Sequence, residues 1–268
     1  MEPQLAASSP QPSPTLPSSE ELKAELLDIP EPPEMPPAVT PPGYDDALVV
    51  AVKYVRAKRG GDLVGIILVG SGARRAVTPH SDIDLIVLVK GPADGQEMIR
   101  VGDRLVDIRY GEHKTVAEDV DYSPRLAPLL RKGRILYDYE EIAAQLIAKA
   151  GQRFRQGPPA ASLHERIRLK SDCLHWLGKV EDLREKPSTA QYLLQIFFED
   201  CLSAFFRTRG LWLTAPVDTL RFLASRDPAL GDLAGQFLSA ATLHDRLTCG
   251  RRFADALFRD IPLPPRVD

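Results

Sequence analysis

Asp82 and Asp84 flank one apolar residue, Ile83, and ten residues separate Asp82 from Ser71 in the small-residue stretch Gly70-Ser71-Gly72. At positions i and i+2 of an extended segment both carboxylates leave the same face while Ile83 turns into a core. Two carboxylates held that close repel each other, and a divalent cation lets both stay ionised. Oxygen-only ligation by Asp, aimed at phosphates, favours Mg²⁺ over zinc. Gly70 and Ser71 lack bulky side chains, so backbone N–H groups there can approach an anion closely, and a helical turn starting near Gly72 adds its N-terminal dipole; that end suits a triphosphate. A third carboxylate, Asp107, stands between Val106 and Ile108, where an Asp is costly unless it pairs or ligates. Brought together, Asp82, Asp84 and Asp107 are enough to hold two Mg²⁺ ions, with substrate phosphates completing the shells.

The elements that must position these groups follow from periodicity. Apolar runs at 64–69 and 85–89 read as buried strands on either side of the Gly-Ser loop. Residues 98–101 and 104–110 flank Gly102-Asp103 and read as a β-hairpin, with Leu105, Asp107 and Arg109 on one face and Val106, Ile108 and Tyr110 on the other. Ala47, Val50, Ala51, Val55 and Ala57 predict a helix stopped by Gly60-Gly61. Residues 123–132 and 140–150 read as helices flanking a short strand at 134–137. After Gly157-Pro158-Pro159 the spacing becomes helical throughout, over 162–185, 189–209, 217–225 and 229–258, and predicts a bundle of about four helices. The expected fold class is therefore α+β: a mixed or antiparallel sheet with flanking helices over 44–155, followed by a helical bundle over 156–268.

Residues 1–43 differ from the rest. They hold 12 of the 24 prolines and a single basic residue, Lys23, a composition that cannot bury enough apolar surface to offset its ordering entropy. We read them as a disordered acidic leader containing one short amphipathic helix at 19–27. The whole chain of 268 residues is 44% hydrophobic, sufficient for real cores. Its net charge of -3 gives no global attraction to nucleic acid, which is not an expected partner. Cys173, Cys201 and Cys249 form no CxxC and no paired Cys/His pattern, so neither a zinc site nor a disulfide framework is indicated. With no signal-peptide pattern and no apolar run near the ~20 residues of a membrane span, a cytoplasmic protein is expected.

Taken together, Gly70-Ser71, the spacer of ten, Asp82-Ile83-Asp84 and Val106-Asp107-Ile108 resemble the nucleotidyltransferase superfamily of DNA polymerase β type. Within it the chain is most similar to small bacterial enzymes related to aminoglycoside nucleotidyltransferases and to minimal nucleotidyltransferase antitoxins. Their opening Gly-Ser-x-Ala-Arg-Gly stands here as Gly70-Ser71-Gly72-Ala73-Arg74-Arg75, with Arg75 replacing the last glycine. The resemblance spans about residues 60–110. It implies Mg-dependent transfer of a nucleoside monophosphate, AMP from ATP or the equivalent from another triphosphate, to a hydroxyl of a small molecule such as an aminoglycoside-like acceptor. Asp82, Asp84 and Asp107 are then the catalytic and metal-holding residues, with Gly70, Ser71, Arg74 and Ser81 on the nucleotide. Asp107 or Glu199, on an aromatic-rich helix, is the candidate general base. Two rivals stay open: an antitoxin-like enzyme that modifies a protein partner, and a nucleotide-binding sensor that has lost catalysis.

Overall fold

The computed structural model describes residues 40–266, so the short helix expected at 19–27 lies outside the described residues. Helix α1 (Tyr44–Arg59) carries Asp45 and Asp46 in its first turn and Arg56, Lys58 and Arg59 in its last, charges that complement the helix dipole. Strand β1 (Leu63–Val69) is buried at every position and runs into a single helical turn, α2 (Gly70–Ala73). Strands β2 (Ile83–Val89), β3 (Asp94–Val101) and β4 (Arg104–Glu112) follow, then α3 (His113–Tyr122), α4 (Leu126–Leu130), β5 (Arg134–Asp138) and α5 (Ile142–Arg155). The five strands form one mixed sheet in the order β3-β4-β2-β1-β5. Only β2 and β4 pair in parallel; the other three pairings are antiparallel.

Both faces of this sheet are covered, which is why β1 and β2 read as continuous apolar runs rather than alternating ones. On one face Ile66, Leu68, Ile83, Leu85, Val106 and Ile108 pack with Tyr44, Ala47, Leu48, Ala51 and Val55 of α1. On the other, Val64, Ile67, Val69, Ile86 and Leu88 meet Val120, Ala127, Leu130, Ala143, Leu146 and Ala150 from α3, α4 and α5. Trp212, from far along the chain, joins this second layer.

The remaining chain is helical: α6 (Leu163–Asp182), α7 (Pro187–Thr208), α8 (Pro216–Arg226), α9 (Pro228–Ser239) and α10 (Leu243–Leu257). Prolines open α7, α8 and α9, where a missing N–H costs no helical bond. The Ser162, Asp227 and Thr242 side chains accept the N-cap hydrogen bonds of α6, α9 and α10 from Glu165, Leu230 and Asp245. The core of this region is aromatic: Phe197, Phe198, Phe205, Phe206, Phe237 and Phe253 are buried together. Architecture and pattern thus agree on an α+β chain whose second part is mostly helical.

Three details depart from the sequence reading. The span 229–258 is two helices rather than one, because Thr242 caps a new start at Asp245. Residues 123–132 hold only the five-residue α4; Ser123 Oγ accepts from the Leu126 N–H at 3.3 Å, and Gly133 N closes back on Leu130 O. Helix α3 was not anticipated, although Val116 and Val120 stand four apart and face the core. Among the described residues no helix is long and apolar enough to cross a membrane.

Phe198 stacks on Phe237 at 4.6 Å and tilts against Phe253 at 5.6 Å. Phe198→Ala is expected to cost about 3–5 kcal/mol of stability, read as a lowered midpoint in chemical denaturation.

Candidate active site

The parallel ladder between β2 and β4 sets Asp84 directly opposite Asp107, with Ile83 opposite Val106 and Leu85 opposite Ile108. Register partners in a sheet project to the same side. Ile83, Leu85, Val106 and Ile108 are all buried against the α1 layer, so Asp84 and Asp107 leave the opposite face. Asp82 stands just before β2 and is exposed, Asp84 is half-buried, and Asp107 is the one buried charged side chain among the described residues, at 8% exposure. Asp107 Oδ1 accepts from Gln96 Nε2 at 2.8 Å and its Oδ2 from Arg109 at 3.3 Å.

Burial pushes the Asp84 carboxyl up to about 6, and the neighbouring Asp82 and Asp107 charges add to the rise against a smaller opposing effect from Arg109. This carboxylate set is short of positive charge, and that deficit fits a divalent cation. Among the described residues no three His, Cys, Asp or Glu side chains stand already gathered as a metal-binding group.

The Gly-Ser loop is shaped around these acids. Gly70 adopts φ +67, and the Asp84 carboxylate fills the place its Cβ would take, so the position demands glycine twice over. At Gly72 the Tyr44 hydroxyl fills the corresponding space. Tyr44 is 2% exposed and its Oη has no hydrogen-bond partner. Its phenol is pushed up to about 12, by burial first, with Asp84 and Asp82 adding to the rise while Arg134 and Arg104 counter it. Arg75 lies at φ 54, the left-handed region that a glycine would occupy freely.

Arg74 Nε donates to Gly70 O at 3.3 Å, while its NH1 pairs with Asp218 of α8 at 2.6 Å. The hydroxyl of Ser81 accepts from the Thr78 N–H at 2.9 Å, an internal turn contact. Arg104 steadies the same segment by donating to Ser81 O at 3.2 Å and lying over the Tyr44 ring. His80 is exposed. Glu199 is exposed on α7 with Gln195 at 3.5 Å and does not line the cleft described next. The structure thus brings Gly70, Asp82, Asp84 and Asp107 to one end of the sheet with Arg74 beside them, and leaves Glu199 apart. Gln96, Tyr44 and Asp218 stand out only in three dimensions, since no motif marks them.

A cleft of about 460 Å³ runs from Gly70 and Arg74 to the segment 212–222, floored by Phe154, Trp212 and Phe222. Trp212 stacks on Phe154 at 6.0 Å and donates its indole N–H to Phe154 O at 2.9 Å. Arg109, already bonded to Asp107, reaches the edge of the same cleft.

Residues 51–142 match the family model described as a nucleotidyltransferase domain. That part of the chain is a nucleotidyltransferase domain, which supports a nucleotidyltransferase enzyme. The chain is also similar to a nucleotidyltransferase-like protein from Exiguobacterium sibiricum 255-15, at 15% identity and a TM-score of 0.46, covering 80% of this chain and 74% of that one. A second similar structure is the spectinomycin adenyltransferase AAD(9) from Enterococcus faecialis with ATP and spectinomycin, at 12% identity and a TM-score of 0.32, covering 80% of this chain and 98% of that one. No curated protein matches.

Two outcomes are expected. Arg75→Gly relieves left-handed strain at the cost of a more flexible unfolded chain, leaving a gain of about 0.5 kcal/mol, read as a rise of a degree or two in Tm. In the fold, burial and then the neighbouring acids hold the Asp84 carboxyl up at about 6, against an ordinary value of 3.8. Its burial is therefore uncostly below 3.8 and becomes destabilising as pH rises through 6. In chelator-treated protein near neutral pH, Asp84→Asn is expected to raise Tm by roughly 2–4 °C, for about 1 kcal/mol after solvent screening. The gain should vanish below about pH 4; a gain independent of pH would contradict an origin in the burial of an ionised carboxylate beside its acidic neighbours.

Proposed function

We propose that this chain transfers a nucleoside monophosphate, AMP from ATP, to a hydroxyl group of a small-molecule acceptor. The observation that carries this reading is the pairing of Asp84 with Asp107 on adjacent parallel strands, with Asp82 one pleat away and the Gly70 turn packed on the Asp84 carboxylate. Asp82, Asp84 and Asp107 would hold Mg²⁺, which when bound neutralises phosphate charge and lowers the pKa of the acceptor hydroxyl.

The chain's own groups divide the remaining tasks. Gly70 and Ser71 would give the phosphate tail a close backbone approach, with Ser81 as a further contact to the nucleotide. Arg74 retains donors beyond those it gives to Gly70 and Asp218, enough to hold phosphate oxygen. Arg109 pins Asp107 on one side and Gln96 pins it on the other. In transfer the acceptor oxygen attacks the α-phosphorus in line, the bond from that phosphorus to the bridging oxygen of the β-phosphate breaks, and pyrophosphate leaves. The hydroxyl proton passes to Asp107, which is within reach of the same face as Asp84.

With ATP labelled at the α-phosphate, Asp82→Ala and Asp84→Ala are each expected to reduce transfer and pyrophosphate release by about 100-fold or more. Both should keep a cooperative thermal transition. Transfer at the unmodified rate in both variants would refute the assignment.

A further inference from the structure

Tyr44, the first residue of α1, reaches from the layer under the sheet to the Gly-Ser turn. It is 2% exposed, and its hydroxyl stands 2.1 Å from the point that a Cβ on residue 72 would occupy. The phenol therefore touches the 70–73 turn from its buried side. Leu68 approaches the same point at 3.2 Å, so only glycine at 72 leaves room for both. The Tyr44 ring is held as well: Arg104 lies over it at 5.2 Å and donates to Ser81 O at 3.2 Å, Pro79 O at 3.4 Å and Pro42 O at 3.5 Å. The turn that bears Gly70 and Ser71 and the segment that leads into Asp82 thus lean on one side chain.

Packing does not account for the oxygen. A phenylalanine would fill the same layer, whereas the Tyr44 hydroxyl is enclosed with no hydrogen-bond partner, and a folded chain bears the full desolvation of such a group. Burial above all pushes the phenol up to about 12, so it keeps a proton to donate at any working pH. Against it lies the turn whose peptide groups meet the phosphates in the transfer reading. A peptide N–H bonded to an anion makes the carbonyl of the same unit a stronger acceptor, and the peptides of this turn are what the hydroxyl already touches.

We propose that Tyr44 is a positioning residue for the nucleotide: its hydroxyl stands unpaired beneath the Gly70–Gly72 turn and gains an acceptor from the turn's backbone when phosphate binds there, so that binding removes a cost carried by the free chain. The identity of the ligand rests on the transfer reading above, while the orphaned hydroxyl and its contact with Gly72 stand on the geometry. A residue that only props the fold loses stability when it is truncated. Here removal of the oxygen relieves the free protein and weakens the complex.

Tyr44→Phe in the full chain removes the oxygen and keeps the ring under Arg104. The free variant is expected to melt at the temperature of the unchanged protein or up to about 3 °C above it. In calorimetric titration with a non-hydrolysable ATP analogue and Mg²⁺ it is expected to bind about three- to tenfold more weakly. A lower melting temperature, or an affinity within about twofold of the unchanged chain or above it, would overturn the proposal and reduce Tyr44 to packing. Gly72→Ala supplies a second measurement. The added Cβ meets the hydroxyl, so the substitution should weaken the analogue, and by less in the Tyr44→Phe background, where that oxygen is gone; equal losses in the two backgrounds would overturn the proposal as well. The transfer reading fails separately: Tyr44-dependent binding of the analogue in a chain that releases no pyrophosphate from ATP removes that reading and leaves this one, and no saturable binding removes both.

Discussion

Like charge held at close range sets the terms for the acid-bearing end of the sheet. Asp84 faces Asp107 across a parallel ladder, Asp82 is one pleat away, and burial withdraws the water that would screen them. Nothing local favours that arrangement, so the rest of the sheet must impose it. The intervening residues Ile83, Leu85, Val106 and Ile108 are buried against α1. A slip of one residue would turn both acids into that apolar layer and bring the hydrophobic set out. Hydrophobic burial on one face thus enforces electrostatic repulsion on the other.

Carboxylates gather at the end of β2 and β4, and Arg109 and Arg74 mark their border with the cleft. Arg109 bonds to Asp107, and Arg74 spans from Gly70 O to Asp218 on α8. The loop is therefore coupled to the helical region through the Arg74–Asp218 ion pair.

Much of this was legible in the sequence, for definable reasons. The acids, the hairpin and the Gly-Ser turn depend on local rules: a two-residue period, glycine at a positive φ, and apolar runs that mark a strand covered on both faces. The α+β class and the helical second part followed from the same periodicities. What stayed hidden depends on distance along the chain. Gln96 reaches Asp107 only because β3 pairs with β4, and Arg74 meets Asp218 across 144 positions. Tyr44 gives no sign in the sequence that its hydroxyl will fill the space beside Gly72. The break before α10 was written in Thr242 and Asp245, but continuous apolar spacing on either side masked it.

Trp212 follows α7 in the chain, yet it is buried in the sheet's second layer with its indole bonded to Phe154. The sheet consequently borrows a piece of its covering layer from the helical part that follows. A gene fusion or recombination event that cut between them would leave a hole under the strands, so the two parts are not portable cassettes. New specificities in such a chain would have to arise by substitution within the existing pair rather than by exchange of one half for another.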